Sequence, residues 1–289
     1  MATTFTNQAT LRYNGEAVQS NITVGLIEGT LSVSKQAVEE QYAAGDTITY
    51  VVSIVNNSSA ALTGLTVTDD LGAYPFATGT IQPLTYVAGS VQYYANGVLQ
   101  PDPTISTADG LTLTGISVPA AGNVTIIYSA TVNEFAPLET GSSITNTVNV
   151  SGTDVTEATA VESIAVSNAA ALSILKSVTP IPVAENGRLT YTFQLFNSGN
   201  TAVPADENAS VTDTFDPVLT DIVIMLNGTA LTAATDYSYD ESTGILSTAD
   251  GVIAIPAATF TQDPVTGAWS TTPGAATLTV TGTVGAATP

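Results

Sequence analysis

One β-rich segment occurs twice in this 289-residue chain, and the second copy stops before the first one does. Leu31-Ser32-Val33-Ser34-Lys35 matches Leu172-Ser173-Ile174-Leu175-Lys176, and GDTITYVVSIVNNSS (45–59) matches NGRLTYTFQLFNSGN (186–200). Leu65-Thr66-Val67-Thr68-Asp69 matches Ala209-Ser210-Val211-Thr212-Asp213, and each copy holds an Asn-Gly pair, Asn96-Gly97 and Asn227-Gly228. STADG recurs at 106–110 and 247–251, and NVTIIYSATV (123–132) matches AATLTVTGTV (275–284). Self-similarity on this scale denotes tandem copies of one domain. Turn residues punctuate short Val, Ile and Thr runs, and no long amphipathic helical pattern occurs. The sequence therefore predicts an all-β chain of two antiparallel β-sandwiches.

After Val132 the first copy runs on through SSITNTVNVSGTDVTEATAVESIAV (142–166), which reads as a closing β-hairpin, whereas the second ends five residues after Val284. The missing piece stands at the other end of the chain. TTFTNQATLRYNGEAVQSNITVGLI (3–27) has the layout of the closing hairpin: an aromatic- or Ile-led Thr-Asn strand, a polar turn and a second alternating strand. The turns align as Tyr13-Asn14-Gly15-Glu16 against Ser151-Gly152-Thr153-Asp154. Asn7 precedes Lys35 by 28 residues, and Asn146 precedes Lys176 by 30. The order is thus a donor hairpin (1–28), a complete domain (29–166) and an incomplete domain (167–289). A sandwich without its last hairpin exposes core side chains and an unpaired sheet edge. Return of the hairpin onto its own second domain is the plain alternative, but Glu28-Gly29-Thr30 and Ser167-Asn168-Ala169-Ala170-Ala171 are short joints. Donation between chains fits better, and such a head-to-tail contact builds a fibre; a reciprocal swapped dimer is its rival.

Charge and composition narrow the functions open to such a chain. Lys and Arg number four against 25 Asp and Glu, a net charge of -21, so no basic footprint exists for nucleic acid or an anionic membrane. Cysteine and histidine are absent, which removes disulfides, thiol and imidazole catalysis and the usual zinc ligands. No apolar run is long enough for a membrane-spanning helix. The N-terminus lacks a basic stretch followed by an apolar one, which reads as export by an unusual route or as a replaced leader. No cofactor is expected.

Alternation puts Leu31, Val33 and Lys35 on one strand face, and likewise Leu172, Ile174 and Lys176. Leu65, Val67, Asp69 and Leu71 share a face, as do Val211, Asp213 and Phe215; Asn146 goes with Ile144, Val148 and Val150, and Asn7 with Phe5, Ala9 and Leu11. Each completed sandwich would bury one Lys, one Asp and one Asn. A buried ammonium is costly unless paired, so a hydrogen-bonded Lys–Asp ion pair is one reading. The other is a spontaneous amide bond between the lysine amine and the asparagine carboxamide. Burial frees the amine, and the neighbouring aspartic acid protonates the amide oxygen and shuttles protons as ammonia leaves.

The motif LSVSK…GDTITYVVSIVNNSS…LTVTDDL…ITNTVNV resembles the Ig-like repeat of bacterial surface proteins known as domain of unknown function 11. The order Lys, Asp, Asn is similar to that of collagen-adhesin-type isopeptide domains of Gram-positive surface proteins and pili. By position, the resemblance implies a Lys35–Asn146 bond assisted by Asp69. It also implies a Lys176–Asn7 bond assisted by Asp213, with Asn7 arriving from a neighbouring subunit. A wall-anchoring tail of the sortase type is not seen at the C-terminus. Acidic runs such as 236–241 lack the spacing of a dedicated calcium loop and read as solvated charge. Tyr93-Tyr94 and Tyr237/Tyr239 read as packed strand aromatics, and Trp269 as part of a hairpin turn. The expectation is a structural, non-enzymatic subunit of an extracellular fibre on a cell or spore surface, its partner being another copy of itself. A monomeric adhesin module is the alternative.

Overall fold

The computed structural model describes residues 3–27, 29–153 and 155–285, which are almost wholly β-structure. The chain divides into two compact units, with the main changeover between Val166 and Ser167; 138–140 group with the second unit and 264–268 with the first. Each is an Ig-like β-sandwich built from strands whose side chains alternate inward and outward, and Asn-Gly turns close the tight hairpins. Asn14-Gly15, Asn96-Gly97 and Asn227-Gly228 all have positive φ at both residues, the geometry of a type I′ turn.

In the first unit one sheet runs Val98–Leu99, Gln92–Ala95, Asn123–Val132, Thr47–Asn56, Leu31–Ala37. The other runs Thr104–Ser106, Leu111–Val118, Leu62–Asp69, Ser143–Gly152, Val155–Val166, Gln41–Tyr42. Four of these strands carry the side chains of interest. They are called here the lysine strand (Leu31–Ala37), the aspartate strand (Leu62–Asp69), the tyrosine strand (Asn123–Val132) and the asparagine strand (Ser143–Gly152). The aspartate strand is paired on both sides, to Leu111–Val118 and to the asparagine strand, with Val148 opposite Asp69 and Val150 opposite Val67. The Val155–Val166 strand packs across the sandwich against the lysine strand. Between the sheets lie Ile48, Tyr50, Ile54, Leu65, Val67, Leu113, Ile126, Val148 and Val150, all buried.

The second unit repeats the first sheet as Leu172–Thr179, Arg188–Asn197, Gly274–Val284, Leu219–Leu226, Thr229–Ala230. Its second sheet has only Thr212–Thr214, Ile245–Thr248 and Tyr237–Asp240, in that order. Thr212–Thr214 is the counterpart of the aspartate strand, and it is an edge: among the described residues its only ladder is to Ile245–Thr248. Among the described residues no strands of this unit match Ser143–Val166. Leu172 and Ile174 are consequently 53% and 59% exposed, where Leu31, in the place of Leu172, is 2% exposed. Two apolar hollows open on this side, one lined by Leu172, Ile174, Leu195, Val211, Ile253 and Ile255, the other by Val178, Ile181, Val183, Leu189, Tyr191 and Leu219.

The chain starts with a free-standing hairpin. Thr3–Asn7 pairs with Thr23–Ile27 and Thr10–Tyr13 with Glu16–Gln19, and among the described residues neither pair joins a larger sheet. Ala9 and Ser20 bridge the two ladders: the Ser20 N–H donates to the Ala9 carbonyl at 2.8 Å. Phe5, Leu11, Tyr13, Val18, Ile22 and Val24 are all exposed. The turn alignment read from sequence shifts by one residue. Tyr13 pairs Glu16 and Gly152 pairs Val155, so in both hairpins the residue six places after the asparagine pairs with the residue three further on. Phe5, Asn7, Ala9 and Leu11 then stand in the places of Ile144, Asn146, Val148 and Val150. Trp269, read from sequence as part of a hairpin turn, instead begins the second strand of that hairpin, opposite Gln262.

Candidate functional site

Lys35, Asp69 and Asn146 are 4%, 3% and 0% exposed, so alternation placed all three in the first-unit core. Lys35 and Asp69 bond directly, and the link to Asn146 runs through a fourth side chain. Lys35 Nζ donates to Asp69 Oδ2 at 2.6 Å, and the Tyr128 hydroxyl donates to the same oxygen at 2.6 Å. Asn146 Nδ2 donates to the Tyr128 hydroxyl at 3.2 Å. The remaining acceptors are filled by backbone: Leu71 N–H donates to Asp69 Oδ1 at 3.1 Å, and Gly72 N–H to Asn146 Oδ1 at 3.2 Å. Lys35 Nζ also lies 4.8 Å from the Tyr50 ring centre, and Tyr50 stacks on Tyr128 at 5.4 Å.

Local geometry explains the close approach of the asparagine. Gly72 has φ +74°, and a Cβ there would come within 2.7 Å of Ile144 Cγ2, on the asparagine strand itself. Only glycine lets the turn after Asp69 lie against that strand. Asp70 fastens the same junction, its Oδ1 accepting from Gly72 N–H and Thr147 N–H, both at 2.9 Å.

Burial dominates the electrostatics. Desolvation lowers the Lys35 pKa, opposed by the charge and hydrogen bond of Asp69. It raises the Asp69 pKa, opposed by Lys35 and by the Tyr128 and Leu71 hydrogen bonds. Both shifts favour a neutral amine beside a neutral carboxylic acid, with one proton exchanged between them. Tyr128 is pushed well above an ordinary phenol, first by burial and then by Asp69, so it stays protonated. The Tyr50 hydroxyl sits near the Asn146 amide but outside hydrogen-bonding geometry, and it is buried without a partner. An amine whose charged form burial disfavours, a proton carrier and a carboxamide whose oxygen already accepts a backbone N–H are the components of an acyl transfer to nitrogen.

The second unit holds a partial copy. Lys176 Nζ donates to Asp213 Oδ2, but the two side chains are 39% and 18% exposed, against 0% and 2% for Lys35 and Asp69. Tyr191, Phe193 and Phe215 ring the ammonium at 4.6, 5.4 and 5.3 Å from their centres. Val280 occupies the place of Tyr128: it pairs Tyr191 just as Tyr128 pairs Tyr50. Asn7 is exposed and pairs Thr23 within the N-terminal hairpin.

Sequence reading missed Tyr128 and Gly72. Tyr128 had a signal, since it is the one hydroxyl-bearing residue on the inward face Val124, Ile126, Tyr128, Ala130. Gly72 had none, because its role depends on a contact with a strand seventy residues away. Tyr93 and Tyr239 do pack: the Tyr93 hydroxyl donates to Ser117 O at 2.7 Å and that of Tyr239 to Leu219 O at 2.9 Å. Asp236 and Asp240 each accept backbone N–H groups within local turns.

No family model and no curated protein matches the sequence. Among solved structures, the chain is similar to BcpA, the major pilin subunit of Bacillus cereus, at 12% identity over 94% of this chain and 73% of that one, with a TM-score of 0.35. The pilus backbone protein RrgB of Streptococcus pneumoniae matches at 11% identity over 84% of this chain and 55% of its own, TM-score 0.32. ACE19, the collagen binding subdomain of the Enterococcus faecalis surface protein ACE, matches at 10% over 48% of this chain and 97% of its own, TM-score 0.30. At identities and superposition scores this low, what those proteins bind or build says nothing about this one, whose own residues must decide.

Proposed function

We propose that this protein is the structural subunit of an extracellular fibre, an appendage of a cell or spore surface, polymerised head to tail. The N-terminal hairpin of one subunit fills the open side of the second unit of the next, and lysine–asparagine amide bonds lock both units. The observation that carries this reading is the unpaired outer edge of Thr212–Thr214, at the place where the first unit has its asparagine strand. A hairpin of matching layout, near the N-terminus, has its apolar side chains exposed, as a donated element would before docking on another subunit. Transferring the register of the first unit puts donor Ala9 opposite Asp213, Leu11 opposite Val211, and Asn7 over Lys176. Phe5 and Leu11 on the donor and Leu172 and Ile174 on the acceptor then leave water together, each worth roughly 1.5–3 kcal/mol on full burial.

In the first unit the same chemistry joins Lys35 to Asn146 with Asp69 assisting, and no external substrate is turned over. Each bond consumes an amine and a carboxamide and releases one ammonia, about 17 Da. The deciding experiment deletes residues 1–28. The truncated chain should remain unassembled alone, yet cap wild-type fibres when added, because it still offers an acceptor. Unaltered assembly by the truncated chain contradicts donation. A closed species of two wild-type subunits contradicts a fibre and supports a reciprocal swap.

A further inference from the structure

We propose that Tyr128 is a catalytic residue of the first-unit reaction, relaying the proton that lets the Asn146 nitrogen depart. This rests on the reading above that Lys35 and Asn146 become joined. Tyr128 is the only side chain in the hydrogen-bond chain that touches both the proton source and the leaving group: its hydroxyl bonds Asp69 Oδ2 at 2.6 Å and Asn146 Nδ2 at 3.2 Å. Asp69 has no comparable route of its own, since Oδ2 is engaged by Lys35 and Tyr128, and Oδ1 by the Leu71 N–H.

The steps balance as follows. The neutral Lys35 amine attacks Asn146 Cγ, and the carbonyl electrons move onto Oδ1, where the Gly72 N–H already donates. The asparagine nitrogen, planar and a poor acceptor in the amide, becomes a pyramidal amine and can now accept a proton. The Tyr128 hydroxyl turns to it and gives its proton while taking one from the Asp69 carboxylic acid. The Asp69 carboxylate thus formed removes the extra proton from the Lys35 nitrogen. Collapse of the oxyanion breaks the Cγ–Nδ2 bond and expels ammonia. The amide is formed, and Asp69 and Tyr128 end as they began. No oxidant, metal or further reactant enters. Burial keeps the phenol from ionising, which suits a group that passes protons without holding a charge.

The second unit sharpens the assignment. Val280 stands where Tyr128 does, and the position matching Gly72, three residues after the aspartate, is Asp216. The Lys176 site therefore has its amine and its carboxyl but no relay, and its bond should form more slowly than the one inside the first unit.

The test uses the full chain in an Asn7→Ala background, recovered unreacted in urea and refolded by dilution, with intact mass read on quenched samples. Tyr128→Phe keeps the ring stacked on Tyr50 and removes only the hydroxyl. The expected result is loss of ammonia about 100-fold or more slower than in the Tyr128 parent. Equal rates overturn the relay while leaving the amide bond standing. No mass loss in the parent refutes the bond itself, and the relay with it. Should Tyr128→Phe fail to refold, the rate of the parent in mixtures of light and heavy water decides. A curved dependence on deuterium content is expected from two protons in flight, and a linear one overturns the relay.

Discussion

Leu11→Ala should weaken assembly while leaving the unassembled subunit as it is. Leu11 is 71% exposed in the chain by itself, whereas Val150, at the matching place in the first unit, is 0% exposed. Docking would carry Leu11 between those two environments. Truncating a buried leucine to alanine costs about 2–5 kcal/mol, and a groove already open to solvent at one side justifies the lower end. About 2 kcal/mol is about a 30-fold rise in the dissociation constant of the junction. In the free subunit the same change belongs to the exposed class, within about 0.5 kcal/mol. The measurement is sedimentation across a dilution series in the Asn7→Ala background, where junctions stay reversible, alongside thermal unfolding of the dilute subunit. An unchanged junction constant, or an equal loss of stability in the dilute subunit, would show that Leu11 packs on its own chain and would refute the reasoning.

Asp69→Asn removes the carboxyl and keeps its shape, so intact mass should show the first-unit bond unmade. Compared with Asn146→Ala, which also lacks that bond, it should be less stable by about 1–3 kcal/mol in denaturant titration, since the buried Lys35 amine and Tyr128 hydroxyl lose the carboxyl they share. The rate of ammonia loss on refolding should be bell-shaped in pH, because the Lys35–Asp69 pair must hold one shared proton. A second proton traps the amine, and loss of the last leaves nothing for the departing nitrogen. Burial raises Asp69 and lowers Lys35, so both limbs should fall inside the ordinary values, the acid limb above about 3.9 and the alkaline limb below about 10.4. In wild-type refolding time courses, mass loss by single subunits should precede the appearance of SDS-resistant multimers, because the Lys176 site lacks the relay.

Much of this was legible in the sequence because strand alternation and internal repetition are strong constraints that reinforce each other. The two-residue period put Lys35, Asp69 and Asn146 on inward faces, and the core holds all three. The repeat set the expectation that the counterpart of the aspartate strand would lack a neighbour, and among the described residues Thr212–Thr214 is paired on one side alone. What escaped was set by tertiary contact. Gly72 is required by the nearness of Ile144, and no local pattern announces that. The paired asparagines Asn56 and Asn197 were seen as matching letters, but not as buried clips. Each donates its amide to a carbonyl four residues on, at 2.7 Å, and accepts from a backbone N–H two residues on, at 2.9 Å. The turn of the closing hairpin was misplaced by one residue because Ser151-Gly152-Thr153-Asp154 offers several turn formers, and only strand register selects among them.

The most direct measurement of head-to-tail donation mixes unlabelled and 15N-labelled subunits before assembly and identifies, by proteolysis and mass spectrometry, the peptides bearing Asn7 and Lys176. The account predicts a single cross-linked species short by one ammonia, in which Asn7 of one isotope is joined to Lys176 of the other as often as mixing allows. Cross-links found only within one isotope, or an Asn7 peptide that is always free, would contradict it.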